Sequence, residues 1–172
     1  MKYVLTDFDK YYNHNVYNTV VIHNQLKIDS FPIYTLGNVI DWDANPFKSQ
    51  TWQFHYHSLT WLYSYCYGIE QEKEEKLVDS LGRLIVEYFN YLSSSVNEMA
   101  WFDHSVACRC CVIAYIYLVL NNRNFSNINV CNILFEQAQQ HSIHLNNYLG
   151  DKKYEASNHR IFHAEALHNL SI

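Results

Sequence analysis

The sequence predicts an all-α protein, an array of antiparallel helical hairpins carrying an irregular N-terminal arm. Three observations predict it. Only 4 Gly and 2 Pro occur in 172 residues, too few for the tight turns of a β-rich fold. Apolar residues recur at threes and fours over most of residues 50–172. The connectors between these stretches, such as "SSSVNE" and "NNRNFSNIN", are short and rich in Asn and Ser. Half of the residues are hydrophobic, with 15 Tyr, 9 Phe and 4 Trp, which supplies a core and argues against disorder.

In chain order, residues 1–49 are expected to be irregular. A short strand fits within Tyr17 to Ile28, and Pro32, Gly37 and Pro46 punctuate an extended segment. Residues 50–172 form the helical domain. Its first helix is expected over Gln50 to Tyr67, with Phe54, Leu59, Trp61, Leu62 and Tyr65 on one face and Gly68 as the stop. The second runs from Glu70 to Leu92, its acidic first turns suited to the positive end of the helix dipole. The third, Asp103 to Asn121, is apolar almost all round and therefore central. The fourth spans Val130 to Leu149, and a fifth begins near Asn158.

A net charge of −5 argues against a nucleic-acid binder, which needs a basic surface. The longest apolar run, Cys111 to Leu120, is too short to span a bilayer and reads as a buried helix, so no membrane partner is expected. The first residues carry no apolar run of signal-peptide length, which makes the cytoplasm the default expectation. Five cysteines, three of them crowded into "CRCC", fit buried thiols better than a disulfide framework or a cysteine zinc site.

Four polar clusters do not fit a plain core. His55 and His57 sit among aromatic residues, as surface or hydrogen-bonded imidazoles. In "WFDHSVACR", Trp101 precedes Asp103, a candidate helix cap, and His104. Arg109 lies two turns in, where it needs either an ion-pair partner or a ligand. His141, His144 and Tyr148 share a helical face and are read as packing. In "SNHRIFHAE", His159 and His163 stand four apart, a spacing that can chelate zinc. Arg160 occupies the place where the zinc-protease pattern has Glu, and no third ligand is evident, so neither metal nor cofactor is expected.

Taken in order, "IDWDANPFKSQTWQFHYHSLTWL", "AWFDHSVACR" and "SNHRIFHAEALHNL" resemble the N-terminal part of the heparinase II/III and alginate lyase family of polysaccharide lyases. The resemblance implies a partial (α/α) toroid whose cleft binds an acidic polysaccharide, and β-elimination at a uronate. Asn158 matches the family's carboxylate-neutralising position and His159 the His beside it. His55, Trp101, His104, Arg109 and His163 are the corresponding substrate-binding candidates. The family's catalytic Tyr would lie beyond Ile172, so the resemblance implies a fragment or truncated relative, inactive alone. Family relatives are often periplasmic or secreted. The alternative is a non-catalytic helical module that self-associates, or pairs with another chain, through an exposed toroid edge.

Overall fold

The computed structural model describes residues 8–123, 127–149 and 159–170. They form an all-α fold with one two-stranded ribbon. The arm is more ordered than its composition predicts. Short helices α1 (Phe8–Tyr11) and α2 (His14–Tyr17) run into a π-helical turn at Asn18–Ile22. The expected strand shrinks to β1 (Gln25–Leu26), paired antiparallel with β2 (Tyr34–Thr35). Asn24, at φ 54°, turns the chain there; its side-chain amide donates to the Leu36 carbonyl at 2.7 Å. Asn tolerates this left-handed backbone better than most residues do.

The first long helix of the sequence reading is broken in the structure. α3 (Gln50–His57) is capped by Ser49, whose hydroxyl accepts from the Trp52 amide. It ends where Leu59 adopts φ 58°. Two bonds compete with the helical ladder at the break. The Ser58 hydroxyl donates to the His55 carbonyl at 2.8 Å, and the Trp61 indole donates to the Tyr56 carbonyl at 3.1 Å. A 3-10 turn (Thr60–Leu62) then leads into α4 (Tyr63–Glu70).

Gly68 does not stop a helix but lies within α4. A Cβ there would meet Leu77 Cδ1 at 2.5 Å and the Tyr17 ring at 2.6 Å, so the missing side chain lets α4 close against both. The acidic run also departs from expectation. Glu70 ends α4 and accepts from the Tyr12 and Tyr115 hydroxyls at 2.6 and 2.7 Å, while Lys73, at φ 60°, turns the chain. α5 therefore starts later, spanning Lys76–Ser94. It buries Leu77, Leu81, Leu84, Ile85, Tyr88, Phe89 and Leu92, the face its periodicity predicts.

α6 (Asp103–Asn122) is central, with α7 (Ile128–Leu149) and α8 (His159–Leu170) packed on it. α6 is long and apolar enough to cross a bilayer; its apolar surface is largely consumed by these neighbours. No disulfide joins the cysteines among the described residues, and Cys66, Cys110 and Cys111 are buried. The arm shares the main core: Leu26, Ile28, Leu36 and Trp42 are buried in the same cluster as Trp52, Trp61 and Tyr88.

Candidate functional site

The start of α6 and the start of α8 meet, and their first residues form one polar cluster. Asp103 is the first residue of α6, and the position before it is Phe102, so Asp103 is not the cap that its sequence position suggests. Its carboxylate turns to α8 instead. His159 Nδ1 lies 2.6 Å from Asp103 Oδ2, and His163 Nε2 lies 3.1 Å from the same oxygen. The spacing of four residues puts both imidazoles on the face of α8 that looks at α6.

An ionised carboxylate can only accept, so each of these nitrogens carries a proton. The tautomers follow. His159 is protonated on Nδ1 and His163 on Nε2. Asp103 and His163 are buried, with side chains 3% and 0% exposed, whereas His159 keeps 27% of its side chain in solvent. His104 completes the cluster. Its ring lies 4.0 Å from that of His159, and Phe54, Phe102 and Phe162 surround it.

The electrostatics favour a charged Asp103 carboxylate and neutral His104 and His163. Burial alone would raise the Asp103 carboxyl, but the His159 hydrogen bond and the adjacent His104 outweigh it and hold the group below its ordinary value. Burial, then the neighbouring His159, lowers His104. Burial also lowers His163, against the opposing pull of Asp103.

The other sequence candidates lie elsewhere. Asn158 is outside the described residues. His55 faces the arm, its Nδ1 3.5 Å from the Tyr11 hydroxyl. Trp101 and Arg109 belong to a second, interior layer. The Trp101 ring lies tilted beside those of His141 and His144, and its carbonyl accepts from His144 Nε2 at 3.1 Å. Arg109 is fully buried and sits over the Tyr88 and Trp101 rings. Its Nε donates to His141 Nε2 at 2.9 Å and its Nη1 to the His57 carbonyl at 2.8 Å.

Among the described residues, then, Arg109 finds neutral acceptors and no carboxylate. Its charge reinforces burial in keeping His57 neutral, with a pKa of about 3, and His141 well below the ordinary imidazole range. Sequence reasoning missed Asp103 as the shared anchor of His159 and His163. The available signal was an Asp-His pair at a helix start.

The described residues thus form an all-α fold with an Asp–imidazole cluster where two helix starts converge. Residues 5–172 match the family described as Heparinase II/III N-terminus, and the chain belongs to that family. No curated protein and no solved structure matches the chain.

Proposed function

We propose that this chain is the N-terminal toroid portion of a polysaccharide lyase relative, with the cluster at the starts of α6 and α8 handling a uronate. The observation that carries this reading is the 2.6 Å contact between Asp103 Oδ2 and His159 Nδ1 at the first turn of α8. It fixes one tautomer of His159, with Nδ1 as the donor to the carboxylate. In the elimination, a base takes the C5 proton and its electrons form the C4–C5 double bond. The C4–O bond breaks, and the departing oxygen is protonated.

Proton removal adds negative charge next to an existing carboxylate. Asn158 would donate its amide to that carboxylate, and His159 would assist it or accept the proton. The N-terminal ends of two helices favour the same anion. Of the further candidates, His104 would line the sugar's site and the buried His163 would support it from behind, whereas His55, Trp101 and Arg109 lie away from this cluster. Acidic polysaccharide is the proposed partner.

The test is ultraviolet absorbance of the unsaturated uronate released from a panel of uronate polysaccharides. The chain is assayed alone and extended by any coding sequence that continues past Ile172. Activity is expected from the extended chain and little from the chain alone. Asn158→Ala and His159→Ala are each expected to abolish it; full activity in either variant overturns the assignment.

A second reading, a helical assembly module, is favoured by one observation. Ile128, Phe135 and Ile143 are exposed and recur at sevens and eights along α7, so they share an uncovered face. Light scattering tests it: a monodisperse monomer at high concentration counts against self-association.

A further inference from the structure

We infer that Asp103, His104 and His159 form a binding site for a divalent transition-metal ion of the zinc class. The inference stands independently of the lyase reading. One ligand atom from each of the three residues lies within 4.8 Å of the other two. The sequence offered only His159 and His163 at chelating spacing and no third ligand. The fold supplies the missing donors from a helix start more than fifty residues away, and replaces His163 as a ligand by making it a support.

The donor set selects the metal. Two imidazoles and one carboxylate suit zinc, cobalt or nickel, whereas calcium and magnesium prefer all-oxygen shells. Coordination requires rearrangement, because ligands on a tetrahedral zinc stand about 3.3 Å apart given its bond lengths. The His104 donor must close in, while His159 Nδ1 gives up its proton and its 2.6 Å contact with Asp103 Oδ2 opens. The His104 and His159 rings, now 4.0 Å apart at their centroids, must splay as their nitrogens converge. Both residues are only partly buried, which leaves them room to rotate. Three protein ligands leave a fourth position open to water or to a ligand carboxylate.

Two further observations support the site. Among the described residues, His104 Nε2 is buried without a hydrogen-bond partner, and coordination through it would satisfy that nitrogen. Asp103 Oδ2 also takes the 3.1 Å contact from His163, an outer hydrogen bond of the kind that orients a ligating carboxylate. The two helix dipoles oppose a cation here. That effect is weak beside three inner-sphere bonds, and the Asp103 charge offsets it.

The experiment is equilibrium dialysis of the full chain against zinc, with metal counted by elemental analysis, and a parallel cobalt titration read by visible absorption. One equivalent is expected, with cobalt bands of nitrogen and oxygen ligation and no thiolate charge-transfer band. His104→Ala and His159→Ala should each weaken binding at least tenfold, while His168→Ala leaves it unchanged. Circular dichroism checks that each variant is folded, and the partly exposed His104 is the substitution that disturbs packing least. No stoichiometric metal, a thiolate band, or full binding in folded His104→Ala and His159→Ala overturns the proposal. Loss of lyase activity alone would not bear on it, because the readout is bound metal.

Discussion

Replacing Asp103 by Asn is the most direct probe of how the starts of α6 and α8 are joined. The amide keeps the shape and one acceptor oxygen but removes the charge. In the native chain, two imidazole N–H groups converge on a single buried carboxylate oxygen at 2.6 and 3.1 Å. Hydrogen bonds to a charged group contribute about 1.5–3 kcal/mol each, and neutral ones about 0.5–1.5 kcal/mol. Reducing both from charged to neutral therefore costs about 2–3 kcal/mol in total.

For a chain of this size, each kcal/mol moves the melting temperature by roughly 2–4 °C, so Asp103→Asn should melt about 4–12 °C lower. Asp103→Ala should cost more, about 3–5 kcal/mol, because two imidazole donors lose their acceptor behind a closed helix junction. The assay is equilibrium urea unfolding followed by far-ultraviolet circular dichroism, with the His159→Ala and His163→Ala singles and doubles completing a mutant cycle. An Asp103→Asn chain within about 0.5 kcal/mol of wild type, the range of ordinary surface changes, would refute the reasoning.

Two further predictions concern the rest of the fold. His57, His104, His141, His144 and His163 are all held below the ordinary imidazole value, chiefly by burial. A depressed folded-state pKa means that the unfolded chain takes up protons first. Their contribution is therefore complete above about pH 6.5 and is lost as pH falls below it. Each such His adds a slope of up to about 1.4 kcal/mol per pH unit, and His57, at about 3, keeps contributing down to that value. A melting temperature that stays level from pH 7 to pH 4.5, or a slope unchanged in His57→Gln, contradicts this. Separately, Gly68→Ala forces a methyl into the Leu77 and Tyr17 side chains and should cost about 1–3 kcal/mol in the same urea assay. An unchanged midpoint would show that the α2–α4–α5 contact is looser than the structure has it.

What the sequence made legible follows from the range of the forces involved. α6 was read from Asp103 almost to its end, because a helix apolar on every side leaves no ambiguity about its place in the core. α5 and α7 follow from periodicity, although α5 starts at Lys76 rather than Glu70. The break between α3 and α4 was hidden, since Leu59 carries no turn signal. The left-handed backbone there is sustained by the Trp61 indole and the Ser58 hydroxyl, contacts that a hydrophobic pattern does not encode.

The site divides the same way. His159 and His163 were visible as a pair because helical spacing is local. Asp103 was legible only as a helix-start residue, since its partners lie 56 and 60 residues away. Arg109 was rightly flagged as needing partners. Their identity, a neutral imidazole and a carbonyl, depends on the packing of α3 and α7 against α6.

The placement of Trp42 has a practical consequence. Its indole lies 4.9 Å from the Tyr88 ring and 6.2 Å from that of Trp61, so a segment whose Pro and Gly residues suggest only an extended arm is wedged among aromatic faces. Severing the chain just ahead of Gln50 would strip that wedge out and leave a wet, sticky notch beside α5. Trimming the front of this protein to obtain a smaller crystallisable piece is therefore a poor strategy. Its tryptophan fluorescence offers a ready gauge of whether the front is still seated.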